Sequence, residues 1–126
     1  VLVPAAVAAG AALAIGNTLV DVERDRAAAV SSIAISLGPS RASRLGAVLL
    51  AAVWVAAVGS AIATGAGWIA VAAITVAGMI PVVAAIGARA AASAARERAW
   101  QAEAIGLAVL ATVWLAIVLA AGRPLG

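Results

Sequence analysis

Gly16-Asn17-Thr18-Leu19-Val20-Asp21-Val22-Glu23-Arg24-Asp25-Arg26 closes the first apolar run of the chain and brings its first charges. On its N-terminal side, Leu2 to Val20 carries no ionisable residue, and further on neither does the stretch between Arg44 and Arg89. A helix needs about 20 apolar residues to cross the hydrocarbon core of a bilayer, and bare runs of this kind supply them. Of the 126 residues, 67% are hydrophobic and 10% charged, with a mean hydropathy of +1.21. A soluble domain has about a quarter of its residues charged. These charges are too few to coat a globule in water, and they are grouped, so the composition specifies an all-α integral membrane protein.

Four spans are predicted, at about residues 1–20, 45–63, 68–87 and 104–121, joined by charged loops at 21–44 and 88–103, the second partly helical, and by a tight break at Thr64-Gly65-Ala66-Gly67. Gly38-Pro39 is a stop signal, after which Ser40 is expected to cap the next helix. The 21–44 loop carries four Arg and the 88–103 loop three, against none in the 64–67 turn and one in the C-terminal tail. Both basic loops are therefore expected to face the cytoplasm, which puts the Asp21–Asp25 segment of a multi-pass cell-membrane protein on that side. Trp68 and Trp100 fall near the expected interfaces, while Trp54 and Trp114 fall inside spans and read as packing residues. The chain opens inside an apolar run without a basic leader segment, and it reads as the back part of a longer protein.

The chain contains no Cys and no His. Disulfides, thiol chemistry, Cys/His zinc sites and histidine acid–base catalysis are therefore excluded within it. Its net charge of +3 comes from loop Arg, which speaks to topology and anionic headgroups rather than to nucleic acid. Asn17, Asp21 and Asp25 stand at i, i+4 and i+8, so a continuous helix stacks them on one face. Two carboxylates at that spacing repel by a few tenths of a kcal/mol, a cost that a shared cation removes. One reading is solvated charge at a helix end, paired with Arg24 and Arg26. The other is a magnesium site for a diphosphate. Mg²⁺ takes one or two carboxylates plus phosphate oxygens and waters, and nearby Arg steadies the leaving diphosphate. Asn17, inside the expected span, favours the second, because a polar side chain at that depth needs a partner or a cavity. Glu23 points to the opposite side of the helix.

The pattern Asn17-x-x-x-Asp21-x-x-x-Asp25-Arg26, followed by small residues and then Ser32-Ile33-Ala34-Ile35-x-Leu37-Gly38, resembles the second aspartate-rich motif of the UbiA family of intramembrane prenyltransferases. The resemblance is specific over residues 16–38 and continues more loosely in helix number and topology. It implies that residues 1–126 are the C-terminal four-helix part of a nine-helix fold. It further implies a Mg²⁺-dependent transferase that moves an isoprenoid chain from an allylic diphosphate to an aromatic or other electron-rich acceptor, as in quinone or lipid biosynthesis. Asp21 and Asp25 match the metal-binding aspartates, and Asn17 matches the polar residue a turn earlier. Asn17, Arg24, Arg26 and Arg41 are the expected diphosphate contacts, and no catalytic residue is assigned.

This chain departs from the pattern where the family often has Gly, one or two basic residues and Thr; here stand Ala29, Val30, Ser31 and Ser32. A basic residue is also common where Ser36 stands. The family's first aspartate-rich motif does not occur in these residues, so an N-terminal half of the same protein is the expected partner, and these residues alone are not expected to be active. The rival reading is a non-enzymatic membrane bundle, such as a transporter half or an assembly subunit. The longer Asp-Gly…Ala-Arg…Gly…Asp…Asp pattern of CDP-alcohol phosphotransferases is absent.

Overall fold

Backbone N–H and C=O groups inside a run of Ala, Val, Leu and Ile have no side chain to bond to, and in a bilayer they have no water either, so the runs close their hydrogen bonds as helices. A computed structural model describes residues 1–29, 31–87 and 93–121. These form α1 (Leu2–Val20), α2 (Val22–Ala27), α3 (Ile33–Leu37), α4 (Pro39–Ala63), α5 (Trp68–Gly87) and α6 (Ser93–Ala121), with no strand among the described residues. Four stretches are long and apolar enough to cross a membrane: Leu2–Val20, Pro39–Ala63, Trp68–Gly87 and Ala94–Ala121. They pack in the ring order α1, α4, α5, α6, and α6 returns to α1 along the loosest seam. The short α2 and α3 lie at one end, where α3 rests on α4 and α1.

The helix boundaries differ from expectation at two starts. α4 begins at Pro39, with Gly38 before it at φ 77° and no side-chain cap, so Ser40 lies within the first turn instead of capping it. Proline suits that place because its missing N–H would be unpaired there anyway. α6 begins at Ser93, so residues 93–103, expected as part of a partly helical loop, are helical throughout. Ala, Arg, Glu and Gln are all good helix formers, and the amphipathic turn simply continues into the span. Arg89, counted above in the second basic loop, and the Arg-Pro tail lie outside the described residues.

Small residues let the helices meet. Trp54 of α4 lies over Gly78 of α5, where an added Cβ would overlap its ring. Pro81, inside α5 and fully buried, sits against Gly106 of α6; a Cβ at Gly106 would come 2.7 Å from the proline Cδ and 3.0 Å from its N. Trp114 is buried among apolar side chains, and Trp54 and Trp114 are packing residues as expected. Trp68 is 79% exposed at the start of α5. Trp100 instead packs inward, and its indole N–H donates to the Leu13 carbonyl at 3.2 Å.

Replacing Gly106 by Ala is expected to destabilise the bundle by about 1–3 kcal/mol, because the Pro81 backbone it would meet cannot swing aside as a side-chain tip can. Gly59→Ala, at a helix position with open space around it, is the control and is expected to be neutral or stabilising. Thermal unfolding in detergent compares the two; equal melting temperatures would refute the packing assignment.

Candidate functional site

The C-terminal turns of α1 carry the residues singled out from the sequence. Thr18 turns its hydroxyl back to the Ile15 carbonyl at 2.8 Å, so it occupies itself with its own helix. At Asp21 the helix loosens, with φ −94° and ψ 5° and an N–H that reaches the Asn17 carbonyl at 3.4 Å. It tightens again at once, because the Asp25 N–H bonds the Asp21 carbonyl at 2.8 Å. The i, i+4, i+8 register of Asn17, Asp21 and Asp25 therefore survives the articulation between α1 and α2.

Where this stripe faces follows from the 100° step per residue. Ala12, Ile15, Leu19 and Val22 are buried and turn α1 and α2 toward the bundle core. Leu2, Ala6, Ala9, Gly10 and Leu13 line an apolar groove of about 550 Å³ between α1 and α6, walled on the far side by Leu107, Ala111, Trp114 and Leu115. Asn17 falls within the groove-facing sector of α1, one turn beyond Leu13. Asp21 and Asp25 continue that row, drifting by about 40° at each step. The row thus starts with Asn17 at the rim of the groove and turns away from α6: by Asp25 it has drifted about 120° from Leu13, and it is Glu23, on the other side of α2, that faces α6. Asn17 is exposed, and Asp21 and Asp25 are half-buried.

Two side-chain ties cross this end of the molecule. Arg24 pairs with Asp21, Nη1 to Oδ1 at 3.0 Å. Glu23, on the other side of α2, pairs with Arg96 at the start of α6. The Arg96 hydrogen bond holds the exposed Glu23 carboxyl below its ordinary range. Arg26 and Arg41 are exposed, and neither forms an ion pair with Asp21 or Asp25. The structure thus brings Asn17, Asp21, Arg24 and Asp25 together along one segment, while Arg41, on the first turn of α4, forms no ion pair with either aspartate.

No group of three or more acidic, Cys or His side chains converges among the described residues. Two carboxylates a turn apart are nevertheless a sufficient protein share for Mg²⁺, whose remaining positions go to water and phosphate oxygens. A single Arg contact uses one of a carboxylate's roughly four lone-pair directions, so the Arg24 pair leaves Asp21 able to coordinate.

Sequence reasoning missed Glu103. It was expected in a loop, yet it is 5% exposed, with its carboxylate against Gly16, and it lines a cavity of about 20 Å³ together with Ser43, Arg96 and Trp100. The available signal was the spacing Arg96, Trp100, Glu103, which a helix places on one face. Ala29 is a second unexpected feature: its φ of 54° is left-handed, a conformation that glycine adopts without strain. No family model matches this chain, and neither a curated protein nor a solved structure is significantly similar to it.

Two expectations follow. Ala29→Gly removes a left-handed penalty and should raise stability by about 1 kcal/mol in chemical or thermal unfolding; a loss of stability would show that the turn is not strained. Because Arg96 depresses the folded-state value of Glu23, the pair stabilises fully above the ordinary value of 4.5 and less as acid protonates Glu23 through its lowered value. The difference in melting temperature between the wild type and Glu23→Gln should therefore be constant above that pH and shrink to nothing in stronger acid. A pH-independent difference would contradict the pairing.

Proposed function

We propose that this chain is the C-terminal four-helix part of a UbiA-type intramembrane prenyltransferase, in which Asp21 and Asp25 hold Mg²⁺ and an isoprenoid diphosphate. One observation carries the reading. Asn17, Asp21 and Asp25 keep their i, i+4, i+8 register through the turn between α1 and α2, which stacks an amide and two carboxylates at the end of an apolar helix, with Arg24 beside them. The left-handed Ala29 adds support, because it stands where the family pattern has glycine and gives that glycine a backbone reason.

In this reading Asn17 donates to the head group, and Arg24 and Arg26 stand on the acidic segment itself to offset the negative charge that leaves with the diphosphate. Arg41 serves as a more distant positive charge on α4. Magnesium, when bound, supplies the charge neutralisation that lets the allylic carbon–oxygen bond ionise. The acceptor's electron-rich carbon then attacks the allylic cation, and its proton is lost. Excluding water from the site protects that cation from hydrolysis. Asn17 is exposed and turned away from the core of this bundle, which suits a site whose other half belongs to another helical unit, the expected N-terminal half of the same protein. The Arg distribution supports a cytoplasmic location for this end.

A non-enzymatic bundle has one observation in its favour: Asp21 already has a cationic partner in Arg24. Asp21→Asn and Asp25→Asn separate the two readings in the intact protein. Prenyl transfer requires each substitution to abolish Mg²⁺-dependent binding of an allylic diphosphate, by at least about tenfold, while helix content and melting temperature stay as they were. Isothermal titration with geranylgeranyl diphosphate at varied Mg²⁺ measures it. Undiminished binding in both variants would sink the metal assignment.

A further inference from the structure

We propose that Arg96 is a positioning residue for the acidic pair: its ion pair with Glu23 sets the rotation of α2 about the loosened turn at Asp21, and with it the separation of the two carboxylates. This rests on the reading of Asp21 and Asp25 as the diphosphate-magnesium site.

The need for such a device is visible in the backbone. Asp25 stands on a helix of six residues, joined to α1 through a turn whose hydrogen bond is stretched to 3.4 Å. A helix that short has no stability of its own, since it barely outgrows the nucleation penalty. Its orientation must come from what grips it. Val22, 3% exposed, anchors the first turn in a small apolar cluster with Ile15, Leu19 and Ala34. One anchor at the hinge still leaves the rest of α2 free to roll. Glu23 supplies the second grip. It lies two residues from each aspartate, roughly 160–200° around the helix from both, so a pull on Glu23 is felt by the carboxylates as a rotation about the same axis.

The other end of the tie is held in place. The Arg96 side chain is 18% exposed and forms part of the wall of the small cavity shared with Ser43, Trp100 and Glu103. One turn on, Trp100 fastens α6 to α1 by its bond to the Leu13 carbonyl, and its ring covers Gly16 so closely that a Cβ there would come to 2.9 Å. The turn of α6 that carries Arg96 is therefore registered against the segment of α1 that precedes Asn17. Through Arg96, a spanning helix grips a short segment that has no stability of its own. The acidic residues face the ligand; Glu23 and Arg96 face each other behind them.

The test uses detergent-solubilised full-length protein and two readouts. The first is the Mg²⁺ concentration for half-maximal binding of geranylgeranyl diphosphate in Arg96→Gln, Glu23→Gln and Arg96→Lys. The two Gln variants are expected to raise it about tenfold with saturating capacity retained, and Arg96→Lys, which keeps the cation, to recover most of the loss. A merely structural role would lower the fraction of protein able to bind rather than shift the Mg²⁺ dependence. The second readout is the distance distribution between spin labels at Ala27→Cys and Gln101→Cys, both exposed positions among residues that include no cysteine, with any cysteine elsewhere in the protein replaced first. Arg96→Gln is expected to broaden or displace it. An unchanged distribution overturns the proposal whatever the ligand data show, as does an unchanged Mg²⁺ dependence in both Gln variants, or an Arg96→Lys protein no better than Arg96→Gln. Absence of Mg²⁺-dependent binding in the wild type would refute the prenyltransferase reading alone, and the spin-label distances would still decide whether Arg96 orients α2.

Discussion

An unpaired peptide N–H or C=O in hydrocarbon costs several kcal/mol, and this chain has few polar side chains with which to meet that demand. Its spans must therefore be helical from end to end, and what remains to be decided is how the helices approach one another. There is no hydrophobic gain from hiding Ala or Val from lipid, so the approach is decided by close packing. Gly78 under Trp54, Gly106 under Pro81 and Gly16 under Trp100 are the three points where one helix accepts a bulky group of the next against its bare backbone. Each joins a different pair in the ring α4–α5, α5–α6 and α6–α1. The proline is informative here: in α5 it removes an internal bond, yet its ring becomes the knob for which Gly106 leaves room.

That packing positions the polar end of the molecule. Because Trp100 seats on Gly16 and bonds Leu13, α6 is brought against α1 just below Asn17, and the charged first turns of α6 come beside α2. The same contact closes the upper end of the α1–α6 seam, while lower down Ala6, Ala9, Gly10 and Ala108 are too small to fill it, and the groove opens. Small side chains thus have opposite effects at the two ends of one seam. A large indole against a glycine makes a tight junction, and small residues facing small residues leave room for a chain to lie.

Much of this was readable from composition and spacing. The bare stretches located the four spans, and the Thr64–Gly67 break ended one helix and started the next where the structure has them, at Ala63 and Trp68. The stacking of Asn17, Asp21 and Asp25 needed only the helical repeat. What could not be read was rotation. In a chain this rich in Ala, a helix looks nearly the same from every side, so no periodicity announces which face of α6 turns inward, and Glu103 passed for a loop residue. The Ser40 cap failed for a local reason: Gly38 at φ 77° already turns the chain, and Pro39 is suited to begin the helix directly. Arg41 stands on the first turn of α4 and forms no ion pair with Asp21 or Asp25, whereas Arg24 and Arg26 travel with the acidic segment.

The direction in which the acidic row points is the more consequential matter. A membrane helix that spends an amide and two carboxylates ordinarily turns them inward, where partners lower the cost of removing them from water. Here α1 turns Ile15, Leu19 and Val22 inward and Asn17 outward. The inward face of α1 there is apolar, so Asn17 adds nothing to the packing of these four helices; in the proposed reading the row faces a space that this bundle borders. Polar residues placed at such a boundary make physical sense when a second wall stands opposite and the charged head of a ligand lies between the two. The articulation at Asp21 fits the same logic, since a short segment held from behind by Glu23 and Arg96 can present its carboxylates to that space without drawing the spanning helices after it.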